Sequence, residues 1–197
     1  MNRYISDLHF GHFNSIAFDS RPFDTVEDME EIMISRWNSV VKQDDTTYIL
    51  GDFCWGKEPE WKRIINSLNG NKVLIRGNHD LKEMSTELKK KFADIKDYKE
   101  ITDNQKHVIM SHYPILFYKG SYNPNCYMLC GHVHTTREND FLNEWKKILQ
   151  NTRISNSDSC GNIYNVGSMM PWMKYTPRTL DEIINYDKEK QKNERKL

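Results

Sequence analysis

Five strand-like runs in this chain each end on side chains able to bind a metal ion, and that repetition restricts the fold more than any other feature. The runs are "RYIS" (3–6), "TTYIL" (46–50), "KVLI" (72–75), "HVIM" (107–110) and "CYMLC" (126–130); a sixth, "NIYNV" (162–166), follows. All are short and rich in Val, Ile, Leu, Tyr or Met, which predicts strands. Several are apolar on successive residues, as suits strands covered on both faces. After the first run comes Asp7-Leu8-His9, after the second Gly51-Asp52, and after the third Gly77-Asn78-His79-Asp80. Ser111-His112 follows the fourth, and Gly131-His132-Val133-His134 the fifth. In layered α/β proteins the loops at the carboxyl ends of strands form the ligand crevice, so side chains far apart in sequence can converge there.

Helical patterns lie between the runs. Residues 25–42 repeat apolar side chains near a 3.6-residue period, with Asp24 or Thr25 available as cap. Trp61, Ile64, Ile65 and Leu68 mark a second helix closed by Asn69-Gly70, and a third is expected from Leu81 to Phe92. "YKEITDNQKHVIM" reads as two strands around a "DNQK" turn, residues 140–150 as helical, and "TLDEII" as the start of a last helix. Early β/α alternation followed by neighbouring strands indicates a layered α/β protein. With 197 residues, one domain over 1–187 is expected, followed by a charged, frayed tail at 188–197.

Composition narrows the partners. Basic and acidic side chains balance at 28 each, which gives no global argument for a nucleic-acid or membrane partner. The N-terminal stretch has no apolar segment of signal-peptide length, and no run is long enough to span a bilayer. Cys54, Cys126, Cys130 and Cys160 form no CxxC pair, so a cytoplasmic protein with reduced, partly buried thiols is expected.

Asp, His and Asn oxygen and nitrogen donors suit Mn²⁺, Fe, Zn²⁺, Ni²⁺ or Co²⁺. No cysteine occupies a junction, which argues against a structural thiolate zinc site. Asp7, His9, Asp52, Asn78, His112, His132 and His134 are too many for one tetrahedral ion and suit two ions sharing a carboxylate, about 3.5–4 Å apart. Taken singly, Asp7 and Asp52 could merely form turns, and the histidines could be ordinary surface or core residues.

The blocks "SDLH", "LGD", "GNHD", "SHYP" and "GHVH", in that order over residues 6–134, resemble the calcineurin-like metallophosphoesterases, and "NVG" at 165–167 is similar to the family's closing strand. The head, "ISDLHFGHFNSIAFDSRPF", resembles a compact bacterial and phage branch. The resemblance implies a β-sandwich of two sheets flanked by helices, with two divalent ions, Mn²⁺ foremost, at one end. It implies that Asp7, His9 and His134 hold one ion, that Asp52 bridges, and that Asn78, His112 and His132 complete the second. A water activated between the ions would attack phosphorus. His79 would protonate the leaving oxygen or steady the phosphoryl charge, with Asp80 holding its ring. "DLKE" also reads as a capping box, which Asp80 could open instead.

His12 could touch the phosphate and Arg21 could clamp it, against plainer readings as a supporting histidine and a surface ion pair. Trp55, Tyr113 and Trp172 could line a pocket or simply pack, and His107 reads as structural. The expected function is hydrolysis of a small phosphate ester, leaning to diesters because the chain is too short for a large cap domain. A phosphomonoesterase acting on a nucleotide or phosphoprotein is the alternative within enzymes, and a non-catalytic scaffold of the same fold the alternative outside them.

Overall fold

The computed structural model describes residues 1–151 and 161–194; Cys160 and positions 195–197 lie outside them. The apolar runs form two four-stranded sheets. In the first, β1 (Asn2–Ile5), β2 (Thr46–Ile49), β3 (Asn71–Ile75) and β4 (Asp94–Lys96) lie parallel and in chain order. In the second, β5 (Tyr98–Asp103) and β6 (Lys106–Ser111) form a hairpin, and β7 (Cys126–Cys130) and β8 (Ile163–Asn165) extend it in parallel. Asn104 and Gln105 turn that hairpin with φ of 46° and 65°, the paired positive values of a tight two-residue connection. At the edges Ser6 donates to the Val166 carbonyl and accepts from Ser168 N, so β1 runs alongside the exit of β8.

Alternation along the strands divides the core. Tyr4, Tyr48, Val73, Val108, Met110, Tyr127, Leu129 and Tyr164 fall in one large buried cluster. It also takes Met29, Met33 and Trp37 of α2 (Val26–Val40) and Trp61, Ile64 and Ile65 of α3 (Glu58–Ser67). Ile109, Met128 and Ile163 point the other way and share a second cluster with Leu142 of α5 (Arg137–Asn151). Burying one such side chain is worth about 1.5–3 kcal/mol, so the two clusters dominate the stability.

Thr25 caps α2 by accepting from Asp28 N. A short α1 (Phe13–Phe18) precedes it and was not evident from periodicity, because one and a half turns leave no repeat to read. The helix expected over 81–92 is only α4 (Thr86–Lys89). Ser85 caps that helix by accepting from Leu88 N, while Asp80, the other capping candidate, is drawn elsewhere. The last helix, α6 (Leu180–Glu194), continues through most of the stretch expected to fray. No helix among the described residues is long and apolar enough to cross a membrane.

Candidate metal centre

The carboxyl ends of β1, β2, β3, β6 and β7 deliver the polar residues, and those after β1, β2 and β7 do so through strained backbone. Asp7 (φ 53°), His9 (51°), Asp52 (52°), His132 (69°) and His134 (43°) all adopt left-handed conformations. Each such conformation is unfavourable for a residue with a Cβ, by roughly 1–3 kcal/mol, and persists only where neighbours over-determine it. Here Asp7 N donates to the Gly51 carbonyl, His9 N to that of Asp52, and Gly131 N to that of His112, so the loops brace one another. Glycine is required at two of the crossings. A Cβ on Gly77 would meet the Asp52 carboxylate, and one on Gly131 the Ser6 hydroxyl and Asp7 carboxylate.

Asp7, His9, Asp52 and His134 each aim one donor atom into a space where all four lie within 4.8 Å of one another. His9 Nε2 is 3.4 Å from His134 Nε2 and 3.7 Å from Asp52 Oδ2; His134 Nε2 is 3.6 Å from Asp7 Oδ1. A second group adjoins the first. His112 Nε2 is 3.5 Å from the same Asp52 Oδ2 and 2.9 Å from Asn78 Oδ1. The His132 ring stands 5.1 Å from that of His112. One carboxylate oxygen therefore faces both groups.

The tautomers show what would fit there. His112 Nδ1 lies 2.8 Å from the Leu50 carbonyl, which can only accept, so Nδ1 carries a proton and Nε2 is the nitrogen turned towards the Asn78 oxygen. His134 Nδ1 lies 2.7 Å from Asp19 Oδ1, so its Nε2 lone pair likewise faces inward. Burial, with Arg21, His134 and other nearby rings, pushes His9 down to about 2, which keeps it neutral. Imidazole nitrogens and carboxylate oxygens that converge in this way fit divalent cations with nitrogen and oxygen preference. Burial raises the Asp7 carboxyl despite the attraction of His134 and His112 and the hydrogen bond from His132 N.

Asp19 is the residue that sequence reasoning missed. Its side chain is only 2% exposed and holds His134 from behind. Arg21 Nη2 donates to it at 2.9 Å and Nε at 3.0 Å. Arg21 then reaches the carbonyls of Leu8 (2.8 Å) and Asp7 (2.9 Å). A phosphate clamp was expected of Arg21, but its side chain is wholly buried with its donors committed to Asp19 and the first loop. Aspartate followed by arginine two residues later, at the end of "GHFNSIAFDSR" (11–21), was the available signal, but it gave no direction. Burial draws the His134 pKa down, and the Asp19 hydrogen bond with Asp7 and Asp19 charge more than offsets it, leaving it raised. Replacing Asp19 by Asn should weaken metal binding about 10–100-fold, the usual effect of removing a carboxylate that orients a ligating histidine. Calorimetric titration of the metal-free protein with Mn²⁺ measures it.

Asp80 also departs from expectation. Its carboxylate accepts from Gly77 N (2.7 Å), Phe53 N (2.8 Å) and Asp52 N (3.1 Å), and the His79 ring is not among its partners. It stitches the loop after β3 to the loop after β2. Burial raises it to about 6 although the backbone bonds from Gly77 and Phe53 work against that shift. His79 is exposed, and its N–H donates to Asp52 Oδ1 at 2.9 Å while its ring lies 5.9 Å from that of His9. His12 stacks on Trp55, and burial with the nearby His79 and Arg21 lowers its pKa. Asn165, another unforeseen residue, donates to the His134 carbonyl at 2.9 Å and accepts from Gly167 N. Trp172 packs beside the core and donates to the Asn165 carbonyl, and His107 pairs with Glu100 on the neighbouring strand.

Residues 4–186 match the family model described as calcineurin-like phosphoesterase, and the chain belongs to that family. Membership with this donor cluster makes it a metal-dependent phosphoesterase. Among curated proteins it is 35% identical over 147 residues to "Uncharacterized protein MJ1445" of Methanocaldococcus jannaschii, spanning 73% of this chain and 76% of that one. It is 36% identical over 80 residues to the "Gene 66 protein" of Mycobacterium phage L5, covering 39% and 38% of the two chains. Among solved structures, the protein of unknown function AQ665 from Aquifex aeolicus superposes with a TM-score of 0.64 at 28% identity, covering 94% of this chain and 98% of that one.

Proposed function

We propose that this protein hydrolyses phosphodiesters at a pair of divalent ions, Mn²⁺ foremost, with Fe, Zn²⁺, Ni²⁺ or Co²⁺ as substitutes. Asp7, His9, His134 and Asp52 would hold one ion, and Asp52, Asn78, His112 and His132 the other. The observation that carries the reading is the single Asp52 oxygen shared between His9 and His112. Bound there, the ions would lower the pKa of a water molecule and polarise the phosphoryl oxygens.

The chain's own residues supply the remainder. His79 is anchored by its amide and leaves an exposed imidazole at the rim, suited to give a proton to the leaving oxygen. Asp80 fixes the two loops that carry Asp52 and Asn78. Asn78 contributes a neutral oxygen, which limits the negative charge facing an anionic substrate.

The preference for diesters rests on charge. A dianionic monoester calls for an extra fixed cation, yet Arg21 is buried and Arg76 is held by Asp97 through two bonds of 2.8 and 2.9 Å. The rim is also open: Trp55, Asn78, His79 and Tyr113 are exposed, leaving room for a second ester group. Cys54, Cys126 and Cys130, all free and buried, accord with a reducing cytoplasm.

The test is to strip the protein of metal, restore Mn²⁺, and compare bis(p-nitrophenyl) phosphate with p-nitrophenyl phosphate. Diester turnover should exceed monoester turnover at least tenfold and vanish without metal. The reverse preference would favour the monoesterase, and no turnover of any ester with any of the five metals would favour a scaffold.

A further inference from the structure

The rim holds aromatic side chains that neither the core nor the metal centre explains. Trp55 is 45% exposed and stands outside both buried clusters. Its indole stacks on His12 with centroids 4.2 Å apart and planes within 13°. The same indole lies 5.7 Å from the His79 ring. Phe18, 54% exposed, continues the surface, with its ring 5.7 Å from His12, 6.1 Å from His9 and 5.6 Å from His134. On the opposite flank Tyr113, 49% exposed, sets its ring 4.5 Å from His132 and 5.1 Å from His112.

The backbone that carries the stacked pair is anchored. Trp55 N donates to the Phe10 carbonyl at 2.7 Å, and His12 N donates to that of His9. A preset indole–imidazole stack presented to water is poor use of apolar surface unless a planar group covers it. Its position decides which part of a substrate would do so. Trp55 adjoins His79, the group assigned to the leaving oxygen, so whatever that oxygen carries passes over the stack.

We infer that the substrate is a small phosphodiester bearing a nucleobase-like planar heterocycle on its leaving group, stacked on the Trp55–His12–Phe18 surface. The inference deepens the phosphodiesterase reading and rests on it for the direction of the leaving group. A long polynucleotide is disfavoured by the charge argument: Arg21 and Arg76 are both engaged within the protein, and the chain carries no net positive charge to track a phosphate backbone. Stacking tolerates any base, so the site should accept purines and pyrimidines alike.

The test measures binding apart from turnover. Adenosine 5′-monophosphate and ribose 5-phosphate, which differ only by the base, are titrated into the Mn²⁺-loaded protein by calorimetry. The nucleotide should bind about tenfold or more tightly, as expected for one stacked base. Trp55→Ala should close that gap to within about threefold, and Trp55→Phe should keep most of it, because a smaller ring still offers a face. Equal affinities in the wild-type protein, or a gap that survives Trp55→Ala, would overturn the inference. If bis(p-nitrophenyl) phosphate is hydrolysed but no gap exists, the stacking surface alone fails. If the gap exists and closes in Trp55→Ala while no ester is turned over, the surface stands and the hydrolase reading fails.

Discussion

Asp52→Asn is expected to empty both halves of the metal centre and to reduce Mn²⁺-supported diester turnover on the order of 10³-fold or more, the loss expected when several kcal/mol of charge stabilisation disappear. The argument is geometric. Oδ2 of Asp52 faces His9 Nε2 at 3.7 Å and His112 Nε2 at 3.5 Å, so one atom serves two donor groups. An amide in its place turns either a neutral oxygen or an NH₂ into that space. The first lacks the charge to be shared between two cations, and the second repels them. Oδ1 has a separate duty, accepting the His79 amide at 2.9 Å, which an asparagine oxygen can still perform. The fold should therefore survive. Metal per chain after dialysis, measured by atomic emission, should fall from two towards zero. Loss of one ion only would mean that Asp52 serves a single site.

The candidate donors were legible in sequence because each sits one to four positions beyond a strand, where a short polar block stands out against apolar neighbours. Asp7, His9, Asp52 and His134 converge in the structure, and Asn78 and His112 meet beside them. The residues that brace them were not legible, because their partners are backbone atoms or distant side chains. Asp80 gives no local sign that its acceptors are spent on amides 27 and 28 residues away. Arg21 has the composition of a phosphate clamp, and only burial shows it to be a strut for the loop at Asp7 and Leu8. The two sheets came from the family resemblance and not from the apolar pattern: consecutive apolar residues announce a strand covered on both faces, whether the cover is helix or sheet. The "DNQK" turn, by contrast, was readable, since two polar residues tolerant of positive φ between alternating strands specify a hairpin locally.

His79→Ala separates the chemistry from the scaffold. The ring is exposed and its residue is anchored through its N–H, a bond that alanine keeps. Stability should therefore change by no more than about 0.5 kcal/mol, as for other exposed substitutions. Metal content should stay at two ions per chain, because no ligand is removed. Turnover of a dialkyl phosphate or dinucleoside monophosphate, whose leaving alkoxide needs a proton, should fall about 10²–10⁴-fold. Turnover of bis(p-nitrophenyl) phosphate should fall far less, about tenfold or under, because p-nitrophenolate departs without a proton and general acid catalysis has little to add. Comparing the two substrates in wild-type and variant protein distinguishes a proton donor from a group that steadies phosphoryl charge. An equal loss with both leaving groups would assign His79 to the phosphoryl oxygens, since a cationic or hydrogen-bonding imidazole beside them helps every ester alike.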